Sequence, residues 1–218
     1  MRKDKLLPRG LEMEFRGGLV EEVTAHGGVG LLVETGRRGG VMERADRVLP
    51  AKANSKGLGQ AQMVESFVLL SALGGECVED FETLRNDKGL EAMVGYSFPA
   101  PSTARSWLDR FHDEDSLSGR PTQGSFIPRE PARLEGLAEL VRQSLRAYVS
   151  AVKVGRALTL DVDAHLVASA KREALPTYEG FRGYQPLIVT WAETGLVAAD
   201  QFRDGNGMSG QGDSRAGG

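Results

Sequence analysis

Cysteine is almost missing from this 218-residue sequence: Cys77 stands alone. One thiol excludes an internal disulfide framework and every zinc site built on cysteine pairs. Histidine is scarce too, and His26, His112 and His165 lie far apart, which argues against a His-rich metal centre. No run of about 18 apolar residues occurs, so no membrane partner is expected through a spanning helix. The charged start Met1-Arg2-Lys3-Asp4-Lys5 is not followed by an apolar stretch of the length a secretion signal needs. A basic excess is also lacking: 27 basic and 30 acidic side chains leave a net charge of −3. No global positive field therefore announces a polyanionic partner. The expectation is a cytoplasmic protein with a reduced thiol.

Glycine, by contrast, is abundant: 28 of 218 residues, or about 13% against a usual share of about 7%. The remaining composition is globular, with 40% apolar and 26% charged residues. Residues 205–218 (GNGMSGQGDSRAGG) hold six glycines and one large apolar residue, Met208. Such a segment cannot bury enough surface to offset its ordering entropy, so residues 207–218 are expected to be disordered. The run Gly28-Val29-Gly30-Leu31-Leu32-Val33 lacks the third glycine and the later acidic residue of a dinucleotide fingerprint. Residues 1–50 are accordingly expected to be loop and helix in a structural role.

Apolar periodicity predicts a buried helix over 59–73, where Met63, Phe67 and Leu70 recur at helical spacing and Val64, Val68 and Leu69 widen the stripe. Gly74-Gly75 ends it. A second helix is expected over 76–84 and a third over 103–111, capped by Ser102, with Trp107 and Phe111 on one face. Residues 113–131, with Gly119, Pro121, Gly124, Pro128 and Pro131, read as a linker. A long amphipathic helix is expected over 132–149, with Leu134, Leu137, Val141, Leu145 and Tyr148 as its stripe. His112 and Trp107 read as helix packing, and Cys77 as a small half-buried residue.

The period then changes from 3.6 to 2. Ala157–Asp163 alternates Leu158, Leu160 and Val162 with Thr159, Asp161 and Asp163, which predicts a strand with both aspartates on one face. Residues 184–192 and 196–203 predict two more strands joined by a turn at Glu193-Thr194-Gly195. Charge is uneven. Residues 76–117 carry ten acidic and four basic side chains, net −6, whereas 129–173 carry eight basic and six acidic, net +2. Arg142, Arg146, Lys153 and Arg156 could contact phosphates, or form an ordinary solvated face.

Two carboxylates at i and i+2 on one strand face repel, and a cation or solvent must relieve them. With no histidine or cysteine cluster nearby, a hard cation such as Mg²⁺ fits best, through oxygen ligands and substrate phosphates. A solvent-facing polar side of an edge strand gives the same pattern, and spacing alone leaves both readings open.

Several motifs in order carry a resemblance. They are Leu158-Thr159-Leu160-Asp161-Val162-Asp163-Ala164, then Tyr178-Glu179-Gly180-Phe181-Arg182-Gly183-Tyr184-Gln185-Pro186-Leu187, Trp191-Ala192-Glu193, and Phe202-Arg203-Asp204-Gly205-Asn206. Together they resemble the DDE transposases of bacterial insertion sequences, in particular the subgroup with an Asp-x-Asp-Ala-Thr first motif. Leu84-Arg85-Asn86-Asp87 and Pro101-Ser102-Thr103-Ala104-Arg105-Ser106-Trp107-Leu108 resemble that family's helical region. The resemblance covers about residues 45–206.

It implies an α/β fold: an N-terminal all-helical region, candidate for DNA binding, over 1–112, the linker 113–131, and the N-terminal part of an RNase H-like core over 132–206 with three strands of its sheet. It implies Mg²⁺-dependent cutting and joining of strands at transposon ends, with terminal inverted repeats as DNA partner and a homodimer as the assembly. The first catalytic carboxylate maps to Asp163, with Asp161 as the fallback, and both are the implied metal ligands. His165 stands where the family usually has threonine. Asp204 falls in a turn rather than in the second catalytic motif, and Asp213 falls in the glycine-rich tail. The expected protein is therefore a truncated, catalytically incomplete transposase. A non-catalytic DNA-binding module built on about residues 45–112, or a decayed gene product, are the alternatives. The net −6 of residues 76–117 counts against the module, because phosphate contacts need basic side chains.

Overall fold

A computed structural model describes residues 23–50, 57–112, 115, 118–120, 126, 127, 130–152 and 158–206. The tail 207–218 and the glycines before residue 23 lie outside the described residues. The chain forms two compact units, Met1–His112 with Ala132–Val152, and Asp113–Pro131 with Lys153–Gly218.

The first unit is helical. Its elements are α1 (Val29–Arg38), α2 (Val41–Val48), α3 (Gln60–Ala72), α4 (Phe81–Asn86), α5 (Lys88–Val94), α6 (Pro101–Leu108) and α7 (Ala132–Ala151). Gly40 makes the α1–α2 turn in the left-handed region, at φ 72°, where a side chain would be strained. The helix α3 matches its apolar pattern and is buried on two sides. Its C-terminal Leu69 and Leu70 join Val33, Phe81, Leu84, Leu90, Val94, Phe98 and Ala104 in one cluster. Its N-terminal Ala61 and Met63 join Ala45, Leu49, Trp107, Phe111 and Leu140 in another. Phe67 bridges the two, edge-on to Phe81 at 5.2 Å and stacked on Trp107 at 5.3 Å. Val68, assigned to the stripe from its spacing, is 47% exposed instead.

Two buried polar side chains of α3 are partnered, as burial demands. Glu65 accepts both Arg37 Nε and Nη2, at 2.9 and 2.8 Å, and that bond raises the guanidinium's pKa. Trp107 Nε1 donates to Gln60 Oε1 at 2.6 Å. Burial pushes the Tyr96 hydroxyl up.

Three expectations are corrected here. Residues 76–84 are not one helix: a 3₁₀ turn over Val78–Asp80 precedes α4. The Asp80 carboxylate accepts the N–H groups of Glu76 and Cys77, and so competes with helical bonding at that end. Ser102 is not a cap. Pro101 occupies the first helical position and Ala100 the cap, since proline's missing N–H costs nothing there. Cys77 and His112 are exposed rather than packed.

The sequence also assigns 132–149 to the second region, whereas α7 belongs to the helical unit. Leu140 is buried beside Ala45 and Leu49. A Cβ at Gly136 would meet the Val48 carbonyl oxygen at 2.8 Å, so glycine lets α7 approach α2 closely. Only the N-terminal half of the stripe packs this way; Val141 and Tyr148 are exposed.

The second unit is built on two antiparallel sheets. The strands β1 (Leu160–Ala164), β2 (Val167–Ala168), β3 (Leu175–Pro176), β4 (Arg182–Tyr184), β5 (Leu187–Trp191) and β6 (Leu196–Gln201) form sheets ordered β1-β5-β6 and β2-β4-β3. The expected hairpin is β5–β6, turning through Gly195 at φ 70°. The expected strand over 184–192 divides in two, because Pro186 has no N–H to continue a ladder. Its first part, β4, is the centre of the small sheet, which period-2 reading did not find.

Phe81 is fully buried. Phe81→Ala should destabilise the helical unit by about 3–5 kcal/mol, read by urea unfolding. Asp87 supplies a second test. It caps α5 by accepting Leu90 N–H, and it accepts Thr24 Oγ1 and faces His26 Nδ1. Burial raises its pKa, but the bonds from Thr24, Leu90 and His26 outweigh this, and the net shift is downward. A lowered folded value means that the stabilisation is present above the unfolded aspartate value of about 3.9. It is lost as pH falls through the lower folded value. Asp87→Asn should therefore be less stable at pH 7, and its deficit against the parent should shrink below about pH 4.

Candidate active site

The strand β1 runs antiparallel to β5 with Asp161 opposite Thr190 and Asp163 opposite Ile188. Directly opposed residues share a face in an antiparallel pair, so both aspartates stand on one face, as their spacing predicts. Val197 and Asp200 of β6 continue the same two rows, opposite Thr190 and Ile188. A bulge between Val189 and Thr190 keeps both rows aligned with the aspartates. The other face carries Leu160, Val162, Leu187, Val189 and Trp191.

Both aspartates are exposed. Asp163 Oδ1 accepts the N–H of Ala164 at 2.9 Å. Asp161 has no hydrogen-bond partner among the described residues. His165, next to this pair, is exposed, and its backbone N–H donates to Pro186 at 3.1 Å. The apolar side of the alternation is exposed too: Leu158, Leu160 and Val162 are 62%, 50% and 56% exposed.

Two of the basic candidates, Arg142 and Arg146, are not in the unit of the aspartates. Arg142 and Arg146 sit one turn apart on the exposed side of α7, in the helical unit. Arg142 Nε is bound to Glu139 at 2.9 Å. Lys153 and Arg156 lie outside the described residues.

Sequence reasoning missed the most buried charge of the second unit. Asp204 is 1% exposed. Arg120 grips it through two bonds, Nε to Oδ2 at 2.9 Å and Nη2 to Oδ1 at 2.5 Å. Asp204 also bridges to Tyr184 beside the small sheet. Its place in a Gly/Asn turn reads as solvent-facing, and the linker assignment of 113–131 hid its partner. A Cβ at Gly205 would meet the Gly183 carbonyl oxygen at 2.4 Å, so that turn must be glycine to seat the aspartate.

A family model described as transposase DDE domain, group 1, matches residues 4–215. The chain belongs to this family. The match starts well before residue 45 and runs past Gly207, so the family likeness is longer than the motifs alone suggest. No curated protein and no solved structure matches the chain significantly. For this transposase-family chain, DNA transposition is the activity that membership points to. No helix among the described residues is long and apolar enough to cross a membrane.

Which residues could hold a divalent metal follows from donor chemistry. The family generally uses such an ion. Two carboxylates on one open face offer hard oxygen donors, and among the described residues Asp161 has no competing hydrogen bond. Mg²⁺ is commonly held by one or two carboxylates with water and phosphate completing its shell, so the pair fits one such ion. No third carboxylate, histidine or cysteine joins them among the described residues.

Breaking the Arg120–Asp204 pair leaves one charge buried alone. Arg120→Ala should destabilise the second unit by about 3–5 kcal/mol, measured by thermal unfolding. The double variant Arg120→Met with Asp204→Leu should recover most of that loss.

Proposed function

We propose that this chain is a catalytically incomplete copy of the strand-cutting and strand-joining protein of a bacterial insertion sequence, in the subgroup with an Asp-x-Asp-Ala-Thr first motif. The observation that carries the reading is the pair Asp161 and Asp163, exposed together on one face of the edge strand of the antiparallel β1-β5-β6 sheet. Three antiparallel strands in one sheet, ordered β1-β5-β6 with a carboxylate pair on the first, support reading it as part of an RNase H-like core. Asp163 takes the role of first catalytic carboxylate, with Asp161 beside it.

A bound Mg²⁺ would supply Lewis-acid polarisation of a phosphoryl oxygen and an activated oxygen nucleophile. The chain's own residues prepare the place for it. The ladder to β5 holds both aspartates toward solvent, and the Ala164 N–H orients Asp163 through Oδ1. Oδ2 of Asp163 and both oxygens of Asp161 are left to face a ligand. Arg142 and Arg146 on α7 serve as phosphate contacts in the helical unit, together with Lys153 and Arg156 further along the chain. The DNA partner is the terminal inverted repeat, the working assembly is a homodimer, and the compartment is the cytoplasm. With one carboxylate pair among the described residues, the chain alone binds DNA ends without cutting them.

The test uses duplex DNA taken from the two ends of the element that carries the gene. Fluorescence anisotropy should show binding whose affinity falls steeply with salt. Arg142→Gln with Arg146→Gln should reduce the slope of log affinity against log salt by about 2. No nicking should follow on adding Mg²⁺. Binding indifferent to salt sinks the DNA reading, and nicking that disappears in Asp163→Asn sinks the claim of incomplete catalysis.

A further inference from the structure

The register of β1 is weakly specified by burial. Leu158, Leu160 and Val162 are half or more exposed, and no strand among the described residues covers the other edge of β1. Strands that bury neither face are prone to slip, and a slip of one residue moves every side chain to the opposite face. Here a slip would carry Asp161 and Asp163 onto the side of Leu187, Val189 and Trp191. Something other than hydrophobic contact has to hold the strand.

The hydrogen bonds at the ends of β1 supply it. At the far end, the His165 N–H donates to the Pro186 carbonyl at 3.1 Å, but Pro186 can return no N–H bond. At the near end the tie is denser. The Ala192 N–H donates to the Thr159 carbonyl at 3.0 Å. The Thr159 N–H donates in turn to the Glu193 carboxylate, at 3.1 Å to Oε1 and 3.0 Å to Oε2. Thr159 is thus clamped on both its backbone groups by two consecutive residues of the β5–β6 turn. Its N–H would otherwise stand unpaired at the start of the strand. Bonding from the Thr159 side chain and backbone holds the Glu193 carboxyl below its ordinary range, as expected of an acceptor engaged while ionised.

We infer that Glu193 is a positioning residue for the acidic pair: its carboxylate clamps Thr159 and thereby holds β1 in the register that puts Asp161 and Asp163 on the face away from Leu187, Val189 and Trp191. This rests on the reading of those aspartates as the metal-holding pair. The turn sequence supports the assignment. Gly195 closes the turn with its N–H on the Trp191 carbonyl at 2.8 Å, which brings Glu193 back over the start of β1. Outer groups that orient metal-binding side chains commonly alter metal affinity by 10- to 100-fold when removed.

The experiment compares the full chain with Glu193→Ala, Glu193→Gln and Thr159→Pro by NMR, with and without Mn²⁺ as the probe ion. In the parent, cross-strand contacts join Leu160 to Trp191 and Val162 to Val189, and Mn²⁺ broadens the Asp161 and Asp163 amides. Glu193→Ala and Thr159→Pro should weaken those contacts and lower Mn²⁺ affinity about tenfold, with signals of the helical unit unchanged. Glu193→Gln keeps one acceptor oxygen and should fall between, with a Thr159 amide that exchanges several-fold faster than in the parent. Parent-like cross-strand contacts and Mn²⁺ affinity in Glu193→Ala overturn the proposal. If Glu193→Ala unfolds the unit, an unchanged Thr159 exchange rate in Glu193→Gln overturns it. If the parent binds no Mn²⁺, the metal-site reading fails, and the cross-strand contacts alone decide whether Glu193 holds the register.

Discussion

Successive side chains of a β-strand point to opposite faces, so the pairing of β1 with β5 decides where the only closely spaced carboxylate pair of that sheet stands. Everything proposed for the chemistry of this chain depends on that register. Asp161 opposite Thr190 and Asp163 opposite Ile188 is one of two parities, and only this one faces both carboxylates away from Trp191. The bulge in β6 preserves the rows beyond β5 and puts Asp200 in line with Asp163. Hydrogen bonds rather than burial carry this part of the structure.

The helical unit is held by the opposite means. Its centre is α3, whose two halves feed two apolar clusters joined by Phe67. Glu65 and Gln60 enter that interior paired, with Arg37 and Trp107. A helix buried on both sides tolerates no polar stripe, which is why residues 60–72 show little amphipathic contrast. The closing helix α7 depends on the absence of a side chain at Gly136, since α2 lies within van der Waals reach of that backbone. Burial of this kind is cooperative, whereas an edge strand opens at low cost.

Family membership and site chemistry rest on different observations. The match over residues 4–215 concerns the whole chain, and a shared fold does not by itself assign chemistry. The site argument concerns two side chains, their common face, their exposure and the hard oxygen donors they offer. The proposal of phosphoryl transfer to DNA draws on both.

By itself the sequence determined the features that follow from local periodicity. The α3 pattern, the Gly74 stop, the alternation around Asp161 and Asp163, and the β5–β6 hairpin are all statements about neighbours within a few residues, where spacing and turn chemistry suffice. The motif order around the aspartates also made the family legible. Tertiary structure decided what depends on distant partners. The attachment of Leu140 in α7 beside Leu49, the burial of Asp204 against Arg120 and the clamp from Glu193 to Thr159 join residues 91, 84 and 34 positions apart. No periodicity records such pairings, because a carboxylate reads as solvent-facing until the cation or amide that meets it is brought alongside by the fold.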